Sequence, residues 1–211
     1  MGRKIIILGT GEGFENCPFD KETWAIGKVL LMVKDHKGNA LPKGYHSKIS
    51  KLFNIDDLSQ MLTFNHPAWK TGWTREKYFE RINKLNIPLI TSFYCKELNK
   101  CEEFPLKKVV ETFGNYYFTN TICYMIAYAM LEEVDEIDLW GVNQVGMKEY
   151  INERKGVEFW MGLAGGSGIK FDIKGGFSAL LKLDKGILYG YKRPFNELID
   201  YFDIKYDGRI D

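Results

Sequence analysis

The fold class is decided by residues 4–13, Lys-Ile-Ile-Ile-Leu-Gly-Thr-Gly-Glu-Gly. A short run that is apolar on both faces is typical of a central strand in a parallel sheet, because such a sheet is covered on both sides. A glycine-rich turn directly after the strand lets the backbone approach a ligand, and its N–H groups can hold phosphate oxygens. The spacing is G-x-G-x-G and not G-x-G-x-x-G. A tight turn without a ligand therefore stays open as the alternative.

Strand-like and helix-like segments alternate along the rest of the chain. Strands are predicted from short β-branched or alternating runs, and helices from an apolar period of 3.6 residues. The predicted strands are 23–27 with an extension to 33, 61–65, 88–91, 136–142 and 169–173, and the predicted helices are 74–85, 106–113, 119–133, 148–163 and 195–202. This alternation predicts an α/β fold with a mostly parallel central sheet of about six strands and helices on both faces.

The chain length favours one domain over residues 1–211, with an irregular excursion at about 34–55 and a C-terminal extension at about 175–211. Apolar residues make up 45% and aromatic residues 15%, which excludes intrinsic disorder. The net charge of +1 gives no general attraction to nucleic acid or anionic membrane. The four cysteines form no C-x-x-C pair, so we predict free thiols and no zinc site.

Hydrophobic runs in this sequence are too short for a membrane span or a signal peptide. The longest, residues 122–131, is about half the length that a bilayer requires, and the N-terminal run covers residues 5–8. We therefore expect a soluble cytoplasmic protein. The sequence leaves homo-oligomer formation open.

Candidate binding residues follow or face the predicted carboxyl ends of strands, where ligands bind in open parallel sheets. Asn120 and Thr121 begin a buried helix, which suits a ribose or an anion, although both are also ordinary N-caps. Asn143 ends a strand and can contact a nucleoside, or it is a simple turn residue. Arg154 can pair with a phosphate, or it belongs to a solvated helix face.

Only two candidates for a catalytic base stand near that edge, Glu12 and His66. His66 follows a predicted strand and precedes Pro67, so a capping or packed histidine is its alternative role. Residues 69–79 contain Trp69, Trp73 and Tyr78, which can stack on a base or sugar or can pack in the core.

Many short motifs occur in an order and spacing that indicate a family resemblance. They include Thr-Asn-Thr at 119–121, Trp-Gly-Val-Asn at 140–143 and Phe-Trp-Met-Gly at 159–162. The full set comprises residues 9–13, 17–20, 24–26, 66–67, 117–129, 136–143, 149–150, 157–164, 168–170, 179–182 and 188–191. The chain resembles a family of phage and prophage proteins often labelled "norphogenetic protein". That family is distantly similar to single-Rossmann bacterial sialyltransferases and flagellin-modifying proteins.

The resemblance implies a Rossmann-like three-layer domain that holds a nucleotide or nucleotide-sugar. Because no Asp-x-Asp pair stands at the predicted strand ends, no metal site is predicted. By position, Gly9, Thr10 and Gly11 would face its phosphates, Asn120 and Thr121 would hold ribose or phosphate, and Asn143 would contact the nucleoside.

Four departures separate this chain from the sialyltransferases. Glu12-Gly13 stands where Pro-Ser is usual, Gly27-Lys28 where Asn is usual, Asn143 where an acid is usual, and no histidine follows position 66. These departures leave two interpretations open, a different transfer reaction on a nucleotide-linked substrate and a nucleotide-binding fold that no longer catalyses. The leading hypothesis is a phage-encoded nucleotide- or nucleotide-sugar-binding protein, for which a glycosyltransferase-like activity is left open. The alternatives are a non-enzymatic phage protein that binds a host or virion partner through residues 35–55 and 69–79, and a protein that sequesters a nucleotide.

Overall fold

A parallel sheet of seven strands is the centre of the part of the chain that the structure describes. The computed structural model describes residues 2–56, 72–146, 148–182, 187–188, 190, 193–203 and 205. The strands are β1 (Lys4–Leu8), β2 (Glu22–Ile26), β3 (Lys51–Asn54), β4 (Leu89–Thr91), β5 (Cys101–Glu103), β6 (Glu136–Trp140) and β7 (Lys170–Lys174).

The strand order is β5-β4-β3-β2-β1-β6-β7, and each neighbouring pair is parallel. The chain moves outward from β1 to β5 and then crosses to β6 on the other side of β1. Ile7 accordingly pairs with Trp24 of β2 on one side and with Leu139 of β6 on the other. The strand order therefore reverses between β1 and β6, which makes their carboxyl ends the topological switch point of the sheet.

Five α-helices lie within the described ranges: α1 (Arg75–Leu85), α2 (Leu106–Phe113), α3 (Thr121–Leu131), α4 (Lys148–Gly166) and α5 (Phe195–Phe202). Alternation along β1 sends Ile5 and Ile7 into the core beneath α3 and α4, and Ile6 and Leu8 into a second core on the opposite face. The second core also contains residues of α1 and of three 3₁₀ helices, which are Phe14–Asn16, Gly27–Leu31 and Tyr45–Lys48. The structure confirms the α/β prediction of a covered, parallel sheet.

The predicted extension of β2 to residue 33 is wrong, because Gly27–Leu31 forms a 3₁₀ helix. The run from Val29 to Met32 is buried throughout. A continuous apolar run has no period that distinguishes a strand from another buried conformation.

The predicted irregular excursion needs correction as well. It ends in the strand β3, and Tyr45, His46 and Ile49 within it are buried. Tyr45 Oη donates a hydrogen bond to the carbonyl oxygen of Phe14 over 2.6 Å. The second half of this segment therefore contributes to the core, whereas residues 36–40 and 42–44 are exposed.

The sequence did not predict β5, whose residues are polar and partly exposed. The strand at 61–65 and the residues His66 and Trp69 lie outside the described residues, and one domain over the whole chain stays a prediction. The four cysteines are free. In the described ranges, no helix has the length and hydrophobicity needed to cross a membrane.

Candidate functional site

The turns that follow β1 and β6 are joined to each other at the switch point. The backbone N–H of Gly9 donates to Trp140 O over 2.8 Å, and that of Gly11 donates to Gly141 O over 2.7 Å. Two N–H groups that the sequence offers to a phosphate are therefore used inside the protein. In the described part of the chain, the N–H of Thr10 has no protein acceptor, so it remains available to a ligand.

The glycines of the first turn are explained by close backbone approach. A Cβ on Gly9 would overlap the carbonyl oxygen of Gly141, and a Cβ on Gly11 would overlap Oδ1 of Asn143. Gly13 has φ +90°, and a Cβ there would overlap the carbonyl oxygen of Gly175 after β7. The G-x-G-x-G spacing thus lets the turns after β1, β6 and β7 touch one another.

Asn143 follows β6, and it forms hydrogen bonds with the turns that follow β1 and β7. Its Nδ2 donates to the carbonyl oxygens of Glu12, over 3.2 Å, and of Phe177. Its own carbonyl oxygen accepts from Ala179 N over 2.7 Å. Its Oδ1 is buried and has no donor among the described residues. Nδ2 is thus used for structure, and Oδ1 lies against Gly11 without a donor among the described residues.

Gln144, the next residue, is one that the sequence analysis missed. Its φ is +52°, a left-handed conformation that is uncommon for a side chain of this kind. Its Oε1 is also buried without a hydrogen-bond donor in the described ranges. A buried acceptor without a donor costs about 1–3 kcal/mol. Strain and an unpaired oxygen at a strand end are features that accumulate at binding sites.

Asn120 is the N-cap of α3. Its Oδ1 accepts from Cys123 N over 3.2 Å, and its Nδ2 donates to Glu153 Oε2 of α4 over 3.1 Å. Both polar ends of this side chain are therefore engaged within the protein, and contact with a ligand stays a prediction. Burial raises the pKa of the neighbouring Cys123 thiol, which disfavours the nucleophilic thiolate.

Thr121 belongs to a polar cluster that the sequence analysis did not predict. Its Oγ1 donates to Asp56 Oδ1 over 3.4 Å, and Lys28 Nζ lies 3.1 Å from Asp56 Oδ2. Lys28 follows β2 and Asp56 follows β3, so both stand at the carboxyl edge of the sheet. No sequence signal joins these residues, because their proximity depends on the strand order.

The remaining candidates are Arg154, Glu12 and His66. Arg154 Nε is 3.7 Å from Glu158 Oε1 of the same helix, and no contact within the described residues joins Arg154 to the β1 turn. Glu12 is exposed, and His66 lies outside the described residues. In the ranges that the structure describes, no group of three or more His, Cys, Asp or Glu residues is placed to hold a metal ion.

No protein-family model matches the chain. No curated protein matches it either. Its fold is similar to that of the sialyltransferase CST-II in complex with a trisaccharide acceptor and CMP, at 14% identity, over 95% of this chain and 99% of that chain, with a TM-score of 0.51.

Two structures from Campylobacter jejuni resemble the chain at lower TM-scores. One is the sialyltransferase CstII in complex with cytidine-5'-monophosphate, at 17% identity over 95% of this chain and 99% of that chain, with a TM-score of 0.48. The other is an alpha-2,3-sialyltransferase in apo form, at 14% identity over 84% of this chain and 77% of that chain, also with a TM-score of 0.48. The likeness to CST-II extends over nearly the whole of both chains and shows a shared Rossmann-like fold.

Proposed function

We propose that this protein binds a sugar nucleotide at the carboxyl ends of β1 and β6 and transfers the sugar to an acceptor. The observation that supports the proposal most directly is the pair of buried amide oxygens, on Asn143 and Gln144, that lack donors among the described residues. They stand at the switch point, where open parallel sheets bind their ligands. Amide oxygens can accept hydrogen bonds from a ribose hydroxyl or a base amino group, and the N–H of Thr10 can donate to a phosphate.

The fold supports the class of ligand. The CST-II structure of the same fold was solved with CMP and a trisaccharide acceptor. For this chain we propose only the same class of ligand, a nucleotide that carries a sugar. The departures at Glu12, Gly27 and Lys28 favour a transfer reaction other than sialyl transfer. Phage origin stays a prediction from the sequence resemblance.

A thermal-shift panel tests nucleotide binding directly. Nucleoside mono- and diphosphates and their sugar conjugates are added one at a time to the full chain. A ligand at a hundredfold excess over its dissociation constant stabilises the folded state by about 2.7 kcal/mol. We expect at least one sugar nucleotide to raise the melting temperature. A flat response across the panel would contradict the proposal.

Replacing Gln144 by Met tests the location of the site. Met has a similar length but no amide, so the variant should fold with equal or greater stability, since an unpaired buried oxygen is removed. If Gln144 Oε1 accepts a hydrogen bond from the ligand, nucleotide affinity should fall about tenfold, which corresponds to a loss of roughly 1.4 kcal/mol in binding free energy. Calorimetry with the nucleotide found in the panel measures this change.

The matched control is Asn196→Leu, which removes an exposed amide from α5. It should leave nucleotide affinity unchanged. Equal affinities for wild type and the Gln144 variant would place the ligand elsewhere.

A further inference from the structure

The carboxylate of Asp56 has a partner on each of its two oxygens at the end of β3. Thr121 Oγ1 donates to one of its oxygens over 3.4 Å, and Lys28 Nζ lies 3.1 Å from the other. Each carboxylate oxygen can accept a further hydrogen bond, and the side chain is partly open to solvent. Asp56 can thus receive a proton from a molecule at the sheet edge.

The backbone that leads to Asp56 is also held. Asn54 Nδ2 donates to Asp56 O over 3.1 Å, and Ser92 Oγ donates to Ile55 O over 2.9 Å. Ser92 follows β4, so this contact joins the ends of two neighbouring strands. A catalytic group held by contacts to its side chain and its backbone loses little freedom when a substrate arrives.

Two consecutive exposed aromatic side chains follow Ser92, whose hydroxyl contacts the backbone next to Asp56. Phe93 is 82% exposed and Tyr94 is 66% exposed, and they follow the Ser92 that anchors the turn to β3. Thr91 Oγ1 donates to Phe93 O over 2.7 Å, and Cys95 N donates to the sulfur of Cys101 over 3.2 Å. The turn therefore has a defined shape that keeps both rings out of the core.

We propose that the carboxyl ends of β3 and β4 form an acceptor subsite for a saccharide, with Asp56 as the general base and Phe93 and Tyr94 as the stacking surface. The inference rests on the proposed function. A sugar ring presents C–H bonds on its apolar face, and these pack against the electron-rich face of an aromatic ring. Neighbouring strands are about 4.8 Å apart, so the ends of β3 and β4 lie roughly 10 and 14 Å from the end of β1. That spacing fits an acceptor lying beside a sugar nucleotide bound at β1.

The transfer step balances with these groups alone. The acceptor hydroxyl oxygen attacks the anomeric carbon of the bound sugar nucleotide, and a new C–O bond forms. The bond from the anomeric carbon to the phosphate oxygen breaks, and its electron pair leaves with the nucleotide. Asp56 takes the proton of the acceptor hydroxyl and later releases it to water.

Saccharide binding is tested by saturation-transfer NMR on the full chain with lactose, maltose, cellobiose and chitobiose, with and without the nucleotide found in the thermal-shift panel. We expect a signal from at least one disaccharide, and a Phe93→Ala/Tyr94→Ala variant should bind it at least tenfold more weakly. The matched control is Tyr201→Ala, which removes an aromatic side chain that is 77% exposed on α5. No signal in wild type, or equal binding by both variants, overturns the subsite.

Nucleotide affinity separates the two proposals. The Phe93/Tyr94 variant should keep nucleotide affinity within about twofold, because the rings lie three strands from β1. If no nucleotide binds to wild type, the proposed function fails. If nucleotide binds and no disaccharide does, the acceptor subsite alone fails.

The role of Asp56 is tested by the turnover of Asp56→Asn with the sugar nucleotide and the bound disaccharide. We expect kcat to fall at least a hundredfold while nucleotide affinity stays within about twofold, since a general base contributes about 10²–10⁴ in rate. Lys28→Gln keeps the carboxylate and removes its ion pair, so it should reduce kcat by less than tenfold. Equal losses in both variants would assign Asp56 to holding Lys28. A hundredfold loss in Glu12→Gln or His66→Gln, with Asp56→Asn still active, would likewise overturn the assignment.

Discussion

His46 is a buried histidine whose two ring nitrogens are both engaged. Nε2 donates to Val29 O over 3.0 Å, and Nδ1 accepts from Arg81 Nη2 over 3.0 Å, which defines a neutral imidazole. Burial, and after it the charge of Arg81, lowers the pKa of His46 to about 4. Protonation of this buried side chain is therefore expected to make the stability of the protein depend on pH.

We predict that the free energy of unfolding falls as the pH is lowered from about 6.5 to about 4. In this window the unfolded chain binds a proton at His46 and the folded chain does not, so the loss approaches about 3 kcal/mol. His46→Gln removes this titration and can retain a donor to Val29. Urea unfolding at pH 7 and pH 4.5 should show a smaller difference for the variant than for wild type. Equal differences would show that His46 binds its proton equally well in the folded and the unfolded chain.

Asn120→Ser separates a cap from a ligand contact. Serine caps as well as asparagine, but it cannot reach Glu153, so we expect a loss of about 1 kcal/mol in stability. Since both polar ends of Asn120 are engaged, nucleotide affinity should be unchanged in calorimetry. A loss of affinity of about 1–2 kcal/mol would instead support the sequence-based assignment of Asn120 to the ligand.

At the level of elements, the segment just before α3 approaches α4 closely because Gly156 has no side chain. A Cβ at this buried glycine would overlap Oγ1 of Thr119, which itself donates to Glu153 O over 2.8 Å. Gly162, on the same helix, is exposed, and a Cβ there would meet nothing within 4 Å. An added methyl group is therefore expected to have opposite effects on stability at these two positions.

We predict that Gly162→Ala stabilises the protein by about 0.5–1 kcal/mol, the difference in helix propensity. Gly156→Ala gains the same propensity but must displace Thr119, so it should lower stability by about 1–3 kcal/mol. Chemical denaturation of both variants measures the two changes. Stabilisation of equal size in both would show that Thr119 moves away from residue 156 without cost.

At the scale of the whole molecule, three turns meet at the carboxyl edge of the sheet. The turn after β1 contacts the turn after β7 through Gly13 and Gly175. Ser178 Oγ donates to Val142 O over 2.9 Å, which joins the segment after β7 to the turn after β6. The candidate nucleotide site is thus built by chain segments that are far apart in sequence.

We predict that Gly13→Ala lowers stability by about 2–4 kcal/mol, because alanine must adopt a positive φ and its Cβ overlaps a backbone oxygen. Gly38→Ala is the control, since Gly38 has φ +89° but open space around it. That variant should cost only about 1 kcal/mol of backbone strain. Thermal unfolding compares them, and equal losses would show that the contact with Gly175 is unimportant.

Much of the fold could be predicted where the signal is local. Thr74 caps α1 by accepting from Lys77 N over 3.3 Å, as its sequence pattern indicates, and α5 spans the predicted residues 195–202. Such features depend on neighbours within one helical turn. The strands β3 and β5 were not predicted because polar residues interrupt or dominate their short runs. They form because a neighbouring strand offers its free backbone groups.

By itself, the sequence determined that this is an α/β protein with a central parallel sheet and a glycine-rich turn after its first strand. Apolar runs and helical periods encode those features, since each element must bury its own face. Only the tertiary structure decided which chain segments meet. Asp56 and Thr121 are 65 residues apart in sequence and lie in contact because the strand order brings the end of β3 beneath the start of α3. The unpaired oxygen of Gln144 likewise depends on packing, and no residue pattern states which buried atoms lack a partner.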